Sequence, residues 1–342
     1  MATIKLPKRK PDFQNLIDVL ERKVPKRRTQ FEFIIDDEIM EKLAGCKFCD
    51  CKTIDEQIRL RIDAFVNGGY DYITTHGSSF RVVDDVGTSV HTKNKNVAII
   101  TDRKSYEEYK WREPFDYSYE VLDKFYTQMP KEMKLIIFSA DGIFENVTSL
   151  VGYENICLML YDEPELLSDI FKKVCDQLYK YYSLAINHPT VGAILCNDDW
   201  GFRSQTLLPP DAYRQHIFPT YKKIVTLAHK ANKKAILHSC GQLDSIMDDI
   251  IDDIKFDGKH SSEDTILPIE EQYKKYGNRI AILGGIDVDF LTNRTPAEIT
   301  GRCENMYKAT QKNGGYAMGS GNSIPAYIPY QNYLAMIKTA LQ

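Results

Sequence analysis

The sequence predicts an α/β protein built as a single (β/α)8 TIM barrel, in which eight parallel strands alternate with helices. Eight short β-branched runs alternate with helical segments along the 342 residues. Several of these runs are continuously apolar, which is typical of strands that are buried on both faces. No glycine-rich phosphate loop follows the first run, and this disfavours the alternative, a doubly wound open sheet.

The eight predicted strands form one barrel, and two segments of the chain lie outside this repeating pattern. Residues 1–30 are basic and are expected to form an N-terminal helical extension, so that the barrel takes residues 31–342. The longest gap, residues 77–133, predicts a long insertion after the second strand, either a loop or a cap. The predicted strands span residues 31–36, 70–76, 134–140, 192–198, 234–240, 254–260, 279–285 and 315–321.

Helices are predicted where apolar residues recur at a spacing of three to four positions between the later strands. Thr295 and Pro296 fit the N-cap and the first position of the last of these helices. The predicted helices cover residues 163–187, 209–232, 268–277 and 296–313.

Composition and charge exclude several classes of protein. The net charge of −4 gives no global field, so we expect neither a nucleic-acid partner nor a membrane surface. No apolar run is long enough for a transmembrane helix, and the N-terminus lacks the apolar core of a signal peptide. We therefore expect a cytoplasmic protein whose eight cysteines are core residues, metal ligands or reactive thiols.

Polar side chains gather at the ends of the predicted strands, where a parallel barrel has its active site. Asp198 and Asp199 stand at the end of the fourth strand and are the candidates for catalysis by proton handling or substrate orientation, although a helix cap would explain them equally. Other strand ends and loops supply candidate substrate-binding residues, for which plain packing is the alternative. These are His76, Glu145, Trp200, Asn322 and Tyr327.

The sharpest pattern is His238-x-Cys240 at the end of the fifth predicted strand. Residues two apart on a strand share one face, so both side chains can point into the barrel together. Imidazole and thiolate are preferred zinc ligands, and Glu263 or His260 from the next strand end is available as a third. The alternative is a buried cysteine beside a hydrogen-bonded histidine, without a metal.

A second cluster of thiols, Cys46-x-x-Cys49-x-Cys51, follows the first predicted strand. It resembles half of a zinc knuckle, but no second pair of ligands follows it in sequence. A surface loop of reduced thiols, a structural metal and a lid over the barrel all remain open as explanations.

From Ile194 to Leu334 the chain resembles the uroporphyrinogen decarboxylase superfamily. The matching stretches are CNDDWGF at 196–202, LLPPDAYRQHIFP at 207–219, AILHSCGQL at 235–243, KHSSEDTILPIEE at 259–271, AILGGIDVDFL at 281–291 and GSGNSIPAYIP at 319–329. Their order and spacing agree with the family, and the resemblance independently implies a (β/α)8 barrel.

The resemblance favours one of the two chemistries of this superfamily. True uroporphyrinogen decarboxylases carry an arginine-rich segment after the first strand, and no such segment is present here. The corrinoid-linked methyltransferases bind zinc through His-x-Cys and a late cysteine, and the related cobalamin-independent methionine synthases add a glutamate. Here Glu263 lies 23 residues after Cys240, but Ser320 and Asn322 stand where the late cysteine is expected.

The resemblance therefore implies zinc held by His238, Cys240 and Glu263, with His260 or Asp264 available to complete the site. The implied activity is transfer of a methyl group from a small O- or N-methyl compound to a corrinoid (cobalamin) carried by a partner protein. Two alternatives stay open. One is a metal-free decarboxylase or lyase with Arg81 or Arg203 binding a carboxylate, and the other is a non-catalytic corrinoid- or pterin-binding barrel.

Overall fold

The computed structural model describes residues 6–83 and 98–342. It contains an all-parallel sheet of seven strands whose spatial order follows the chain. A doubly wound sheet would reverse its strand order, so this topology is that of a curled, TIM-barrel-like sheet. The strands are β1 (Tyr72–His76), β2 (Lys134–Phe138), β3 (Val191–Asn197), β4 (Lys234–His238), β5 (Gly258–His260), β6 (Ala281–Leu283) and β7 (Tyr316–Ala317).

The first predicted strand, residues 31–36, is wrong as a strand, because this segment pairs with its neighbours only at isolated points. Parallel bridges join Gln30 to Met318 and Ile35 to Ile324, just beyond β7. On its other side the segment meets β1 through side chains, and the Thr74 hydroxyl donates to the carbonyl of Phe33 at 2.7 Å. The eighth position of the barrel is thus filled by extended chain without a continuous ladder.

The helices cover the outside of the sheet, and the later ones match the predicted segments closely. The predicted helix 209–232 is divided at Ile217, where Pro219 in the first turn of the following helix lacks an N–H. Thr295 caps its helix as predicted, and its hydroxyl accepts from the Glu298 N–H. The helices are α1 (Gln14–Leu20), α2 (Asp37–Ala44), α3 (Ile54–Gly68), α4 (Arg103–Glu108), α5 (Glu120–Gln128), α6 (Ile143–Val151), α7 (Tyr153–Asp162), α8 (Pro164–Ala185), α9 (Pro210–His216), α10 (Phe218–Lys230), α11 (Ile269–Tyr276), α12 (Val288–Asn293), α13 (Pro296–Thr310) and α14 (Tyr330–Ala340).

Helix α1 lies against the end of the sheet where the strands begin. The Phe13 side chain lies against Gly192 at the start of β3, and Leu20 lies against Gly258 at the start of β5. Both apolar side chains are buried, so this helix shares the core of the barrel. The division of the chain at residue 30 stays a prediction.

The segment predicted as an insertion contributes α4, α5 and a single 3-10 turn, Pro114–Asp116, among its described residues. Part of it, including SVHTKNKN at 89–96, lies outside the described residues. The predicted strand 254–260 is shorter than expected, because Ile254 ends a π-helical turn that begins at Asp249. No helix in the described part of the chain is long and apolar enough to cross a membrane.

One face of every strand points into the barrel, and the register aligns the last inward residues at the same end. His238 is paired with Asn197 on β3 and with His260 on β5. His76 is paired in the same way with Phe138, from β1 to β2. Because residues in register share a face, these side chains form one layer at the carboxyl end of the sheet. We call this end the mouth.

Candidate functional site

Three potential metal ligands converge at the mouth. Asp199, His238 and Cys240 each offer an atom within 4.8 Å of the other two, the one such group found in the described part of the chain. The Cys240 Sγ lies 3.7 Å from the Nε2 of His238, and Nε2 lies 3.9 Å from a carboxylate oxygen of Asp199. Nitrogen, sulfur and oxygen donors at these separations form a set that suits zinc.

His238 is held from behind by a second buried imidazole. Its Nδ1 lies 2.8 Å from the Nδ1 of His260, whose Nε2 lies 3.2 Å from the carbonyl oxygen of Ser320. Burial, aided by the charge of Lys259, lowers the pKa of His238 to about 3, and burial also holds the pKa of His260 well below its usual range. Both rings are therefore neutral at physiological pH, as a metal ligand requires.

Cys240 is surrounded by hydrogen-bond donors. The hydroxyl of Ser261 and the side-chain amide of Asn322 each donate to its sulfur at 3.3 Å. Burial raises the pKa of the Cys240 thiol well above its ordinary value, so the free side chain keeps its proton. Two donors aimed at the sulfur are arranged for a thiolate, which forms when a cation binds and displaces the proton.

Asp199 reaches this cysteine because the loops after β3 and β4 cross at two glycines. The N–H of Cys240 donates to Asp199 Oδ1 at 2.9 Å, and the N–H of Gly201 donates to the carbonyl of Cys240 at 3.1 Å. Gly241 has φ = +85°, and a Cβ there would lie 2.2 Å from the backbone of Gly201. Only glycine permits so close a crossing.

Asp198 is placed as a helix cap, which does not fit the catalytic role predicted for it. The side chain is completely buried. Its two oxygens accept from the N–H groups of Phe144 and Glu145 at 3.0 and 3.1 Å, and from the Tyr221 hydroxyl at 2.9 Å. Both oxygens are therefore occupied by hydrogen-bond donors at the N-terminus of α6.

Glu145 lies beside this cap and keeps a strongly perturbed carboxyl. Its Oε2 accepts from the Gly142 N–H at 3.0 Å. Burial, and then the charges of Asp198, Asp199 and Asp141, hold the pKa of Glu145 well above its usual range. A carboxyl that stays protonated near an active site is a candidate general acid.

The remaining predicted residues are scattered. His76 ends β1 at the mouth, and burial lowers its pKa to about 4. Trp200 is fully buried among Tyr213, Phe218 and Tyr221, so it packs in the core rather than lining a pocket. Tyr327 is 66% exposed on the loop after β7.

The two carboxylates predicted as ligands after the sixth strand are placed elsewhere. Glu263 is absent from the three-residue group and lines a small neighbouring cavity with Lys259 and Gln272. Asp264 is held by Arg302, whose guanidinium donates to both of its carboxylate oxygens at 2.5 and 2.8 Å. The third ligand atom near His238 and Cys240 therefore belongs to Asp199.

Two further polar residues at the mouth were not among the site residues predicted from the sequence. Asn197 is buried, and its Oδ1 has no hydrogen-bond partner within the described residues, although it lies in register with His238. Lys259 is 5% exposed, its amine donates to the carbonyl of Ser261, and burial lowers its pKa to about 8. Each is a polar side chain on a buried strand, a signal that the sequence already contains.

The thiol cluster lies at the surface, with Cys46 and Cys49 exposed and Cys51 partly buried. It does not come together as a group of metal ligands among the described residues. All eight cysteines of the chain are free.

Comparison of the sequence with protein-family models finds a match to one family. Residues 38–342 match the sequence model of the uroporphyrinogen decarboxylase (URO-D) family. Among solved structures, a methyltransferase from Methanosarcina mazei aligns at a TM-score of 0.67 and 15% identity, covering 95% of this chain and 97% of its own. A candidate vitamin-B12-independent methionine synthase from Listeria monocytogenes aligns at 0.47 and 14%, covering 92% and 98%. No curated protein matches.

Proposed function

Because the chain belongs to the uroporphyrinogen decarboxylase (URO-D) family, we propose that it is a zinc-dependent methyltransferase of that family, which moves a methyl group from a small O- or N-methyl compound to a corrinoid protein. The observation that carries the proposal is the convergence of Asp199, His238 and Cys240 at the mouth. The same end of a barrel holds the active site in this fold. The methyltransferase from Methanosarcina mazei, which shares the fold, is consistent with it.

The residues fit a zinc ion. His238 would supply a neutral imidazole nitrogen, Cys240 a thiolate and Asp199 a carboxylate oxygen, three protein ligands of the kind that leave an open position. Zinc bound there would supply Lewis acidity to the oxygen or nitrogen that carries the methyl group. A single thiolate and one carboxylate make a harder donor set than two thiolates, which favours oxygen and nitrogen donors over thiols.

Other side chains at the mouth serve the departing group. Glu145 uses Oε2 to accept from Gly142, which leaves Oε1 to carry the proton. As the bond from the methyl carbon to oxygen or nitrogen breaks, the departing atom keeps the electron pair and takes this proton. The unpartnered Oδ1 of Asn197 is available to accept a hydrogen bond from the donor molecule.

The acceptor has to approach from the mouth, because α1 covers the opposite end of the sheet. A reduced corrinoid presented there would supply both electrons of the new bond to the methyl carbon. The docking partner is therefore a protein that presents a corrinoid in its lower oxidation state.

The test combines metal analysis with methyl transfer to reduced cobalamin from a panel of methoxy and methylamine donors. Wild type is expected to hold about one zinc per chain, as a single three-ligand site implies. Cys240→Ala is expected to lose zinc and activity, whereas Cys49→Ala, at an exposed thiol, keeps both. Glu145→Gln is expected to keep zinc and to slow transfer roughly 100-fold or more, since it removes the acid.

The proposal is contradicted if the wild-type protein holds no zinc after zinc has been supplied. It is also contradicted if no donor in the complete panel methylates cobalt. Release of carbon dioxide from a carboxylated donor by metal-free protein would replace it with a lyase of the decarboxylase type.

A further inference from the structure

The buried histidine pair fixes which nitrogen of His238 faces the other two ligands. The ring of His260 lies with its Nε2 at 3.2 Å from the carbonyl oxygen of Ser320. A carbonyl oxygen can only accept a hydrogen bond, so Nε2 of His260 has to carry a proton. Because a neutral imidazole has one N–H, the Nδ1 of His260 is an acceptor.

The tautomer of His260 in turn determines the tautomer of His238. The Nδ1 atoms of His238 and His260 are 2.8 Å apart, so one of them donates to the other. With His260 Nδ1 fixed as the acceptor, the donor is the Nδ1–H of His238. The Nε2 of His238 then has no proton, and it is this atom that lies 3.7 Å from the sulfur of Cys240.

We propose that His260 is a positioning residue, which sets the tautomer of His238 and thereby holds a bare nitrogen toward Cys240 and Asp199. The sequence predicts His260 as a further candidate ligand, but its two ring nitrogens already form hydrogen bonds with His238 and Ser320. The role of this arrangement in holding zinc rests on the proposed function, whereas the tautomer itself does not.

The surroundings of the pair favour a single arrangement. His238 is 6% exposed and His260 is fully buried, so water does not compete for their nitrogens. The ring of Phe31 lies edge-on to His260 at 5.1 Å, and the ring of Phe33 lies 4.7 Å from His238. Aromatic side chains on these faces keep the rings in place without offering another acceptor.

The test reads the tautomer directly in protein labelled with 15N at its seven histidines. In metal-free wild type, the side-chain nitrogen shifts are expected to show His238 protonated on Nδ1. His260→Phe keeps a ring of similar size but removes the acceptor, and His238 is expected to become protonated on Nε2. His260→Gln can donate its amide to Ser320 and accept from His238, so it is expected to preserve the wild-type tautomer.

Zinc affinity gives an independent measurement by competition with a chelator. The Phe variant is expected to bind zinc about 10- to 100-fold more weakly, the usual cost of losing an outer partner of a ligand. The Gln variant is expected to stay close to wild type. His229→Gln serves as the matched control, since His229 bonds Asp257 away from the mouth.

The inference would be overturned if His238 of the wild-type protein were protonated on Nε2. It would also be overturned if the Gln and Phe variants lost zinc equally while His238 kept its Nδ1 proton in both. If no form of the protein binds zinc, the proposed function fails, and the metal-free spectra still decide the tautomer.

Discussion

Glu32 is a completely buried carboxyl that joins the first extended segment to the loop after β7. It accepts from the Ser320 N–H at 2.7 Å and from the Ser320 hydroxyl at 2.5 Å. Burial raises its pKa from 4.5 to about 8. Since the same Ser320 holds His260 through its carbonyl, Glu32 links the barrel wall to the histidine pair.

A carboxyl with a raised pKa stabilises the folded protein at low pH and loses that contribution as the pH rises. The loss begins near 4.5 and is complete above about 8, and it amounts to roughly 5 kcal/mol as an upper limit. Glu32→Gln keeps an acceptor and a donor for Ser320 but cannot ionise. Urea unfolding across this range is expected to show a smaller decline for the variant than for wild type.

The matched control is Glu154→Gln, at an exposed position in α7. It is expected to follow the wild-type curve. Parallel curves for Glu32→Gln and wild type would show that Glu32 ionises without cost to the fold.

Two of the three residues that converge as potential metal ligands were predictable from sequence, and the third was not. His238 and Cys240 are two apart at the end of a strand, so a local rule places them together. The choice between Asp199 and Glu263 depends on the crossing of two loops, which no local pattern specifies. Trp200 was misplaced for a similar reason, since its packing partners come from α9 and α10.

The crossing of the loops after β3 and β4 makes a prediction about Gly241. Gly241→Ala puts a side chain at φ = +85° and 2.2 Å from the backbone of Gly201. The loops are expected to separate and to withdraw Asp199 from Cys240. Zinc affinity, measured by chelator competition, is expected to fall at least tenfold, as for the loss of a supporting contact at a metal.

The control is Gly301→Ala in the middle of α13, where a new Cβ meets nothing within 4 Å. This change is expected to leave zinc binding intact and to raise helix stability by about 0.5–1 kcal/mol. Unchanged zinc affinity in Gly241→Ala would mean that Asp199 is not a ligand.

The strands and helices were predictable where their sequence is long and periodic. Helix α8 matches its predicted span closely, because a helix of 22 residues carries a repeated apolar stripe. Residues 31–36 have the composition of a strand but lack a continuous ladder, because Glu32 and Tyr72 replace backbone pairing with side-chain contacts. The Tyr72 hydroxyl donates to the carbonyl of Glu32 at 3.0 Å.

At the scale of the whole molecule, a change at the end opposite the mouth is expected to affect stability and to leave metal binding unchanged. Leu16 of α1 is fully buried at the end opposite the mouth. Leu16→Ala is expected to lower the free energy of unfolding by about 2–5 kcal/mol, the usual range for a buried leucine. Zinc affinity at low temperature, where the variant stays folded, is expected to match wild type. A matching loss of zinc would show that the two ends are coupled.

The all-parallel, TIM-barrel-like sheet was predicted from the alternation of strands and helices, which needs no knowledge of side-chain contacts. Sequential pairing of β1 to β7 follows from that alternation. How the sheet closes was not predictable, because it depends on bridges between residues almost three hundred positions apart, such as Gln30 and Met318.

The presence of one thiol in the converging group affects how the protein withstands oxygen. Two cysteines in one metal site can join in a disulfide once the ion departs, and such a bond has to be reduced before the site can be refilled. Here the group contains Cys240 and no second cysteine. Its sulfur, buried and hydrogen-bonded to Ser261 and Asn322, has no partner within the group for such a bond. If zinc binds there as proposed, its loss in air would not lead to a disulfide within the group.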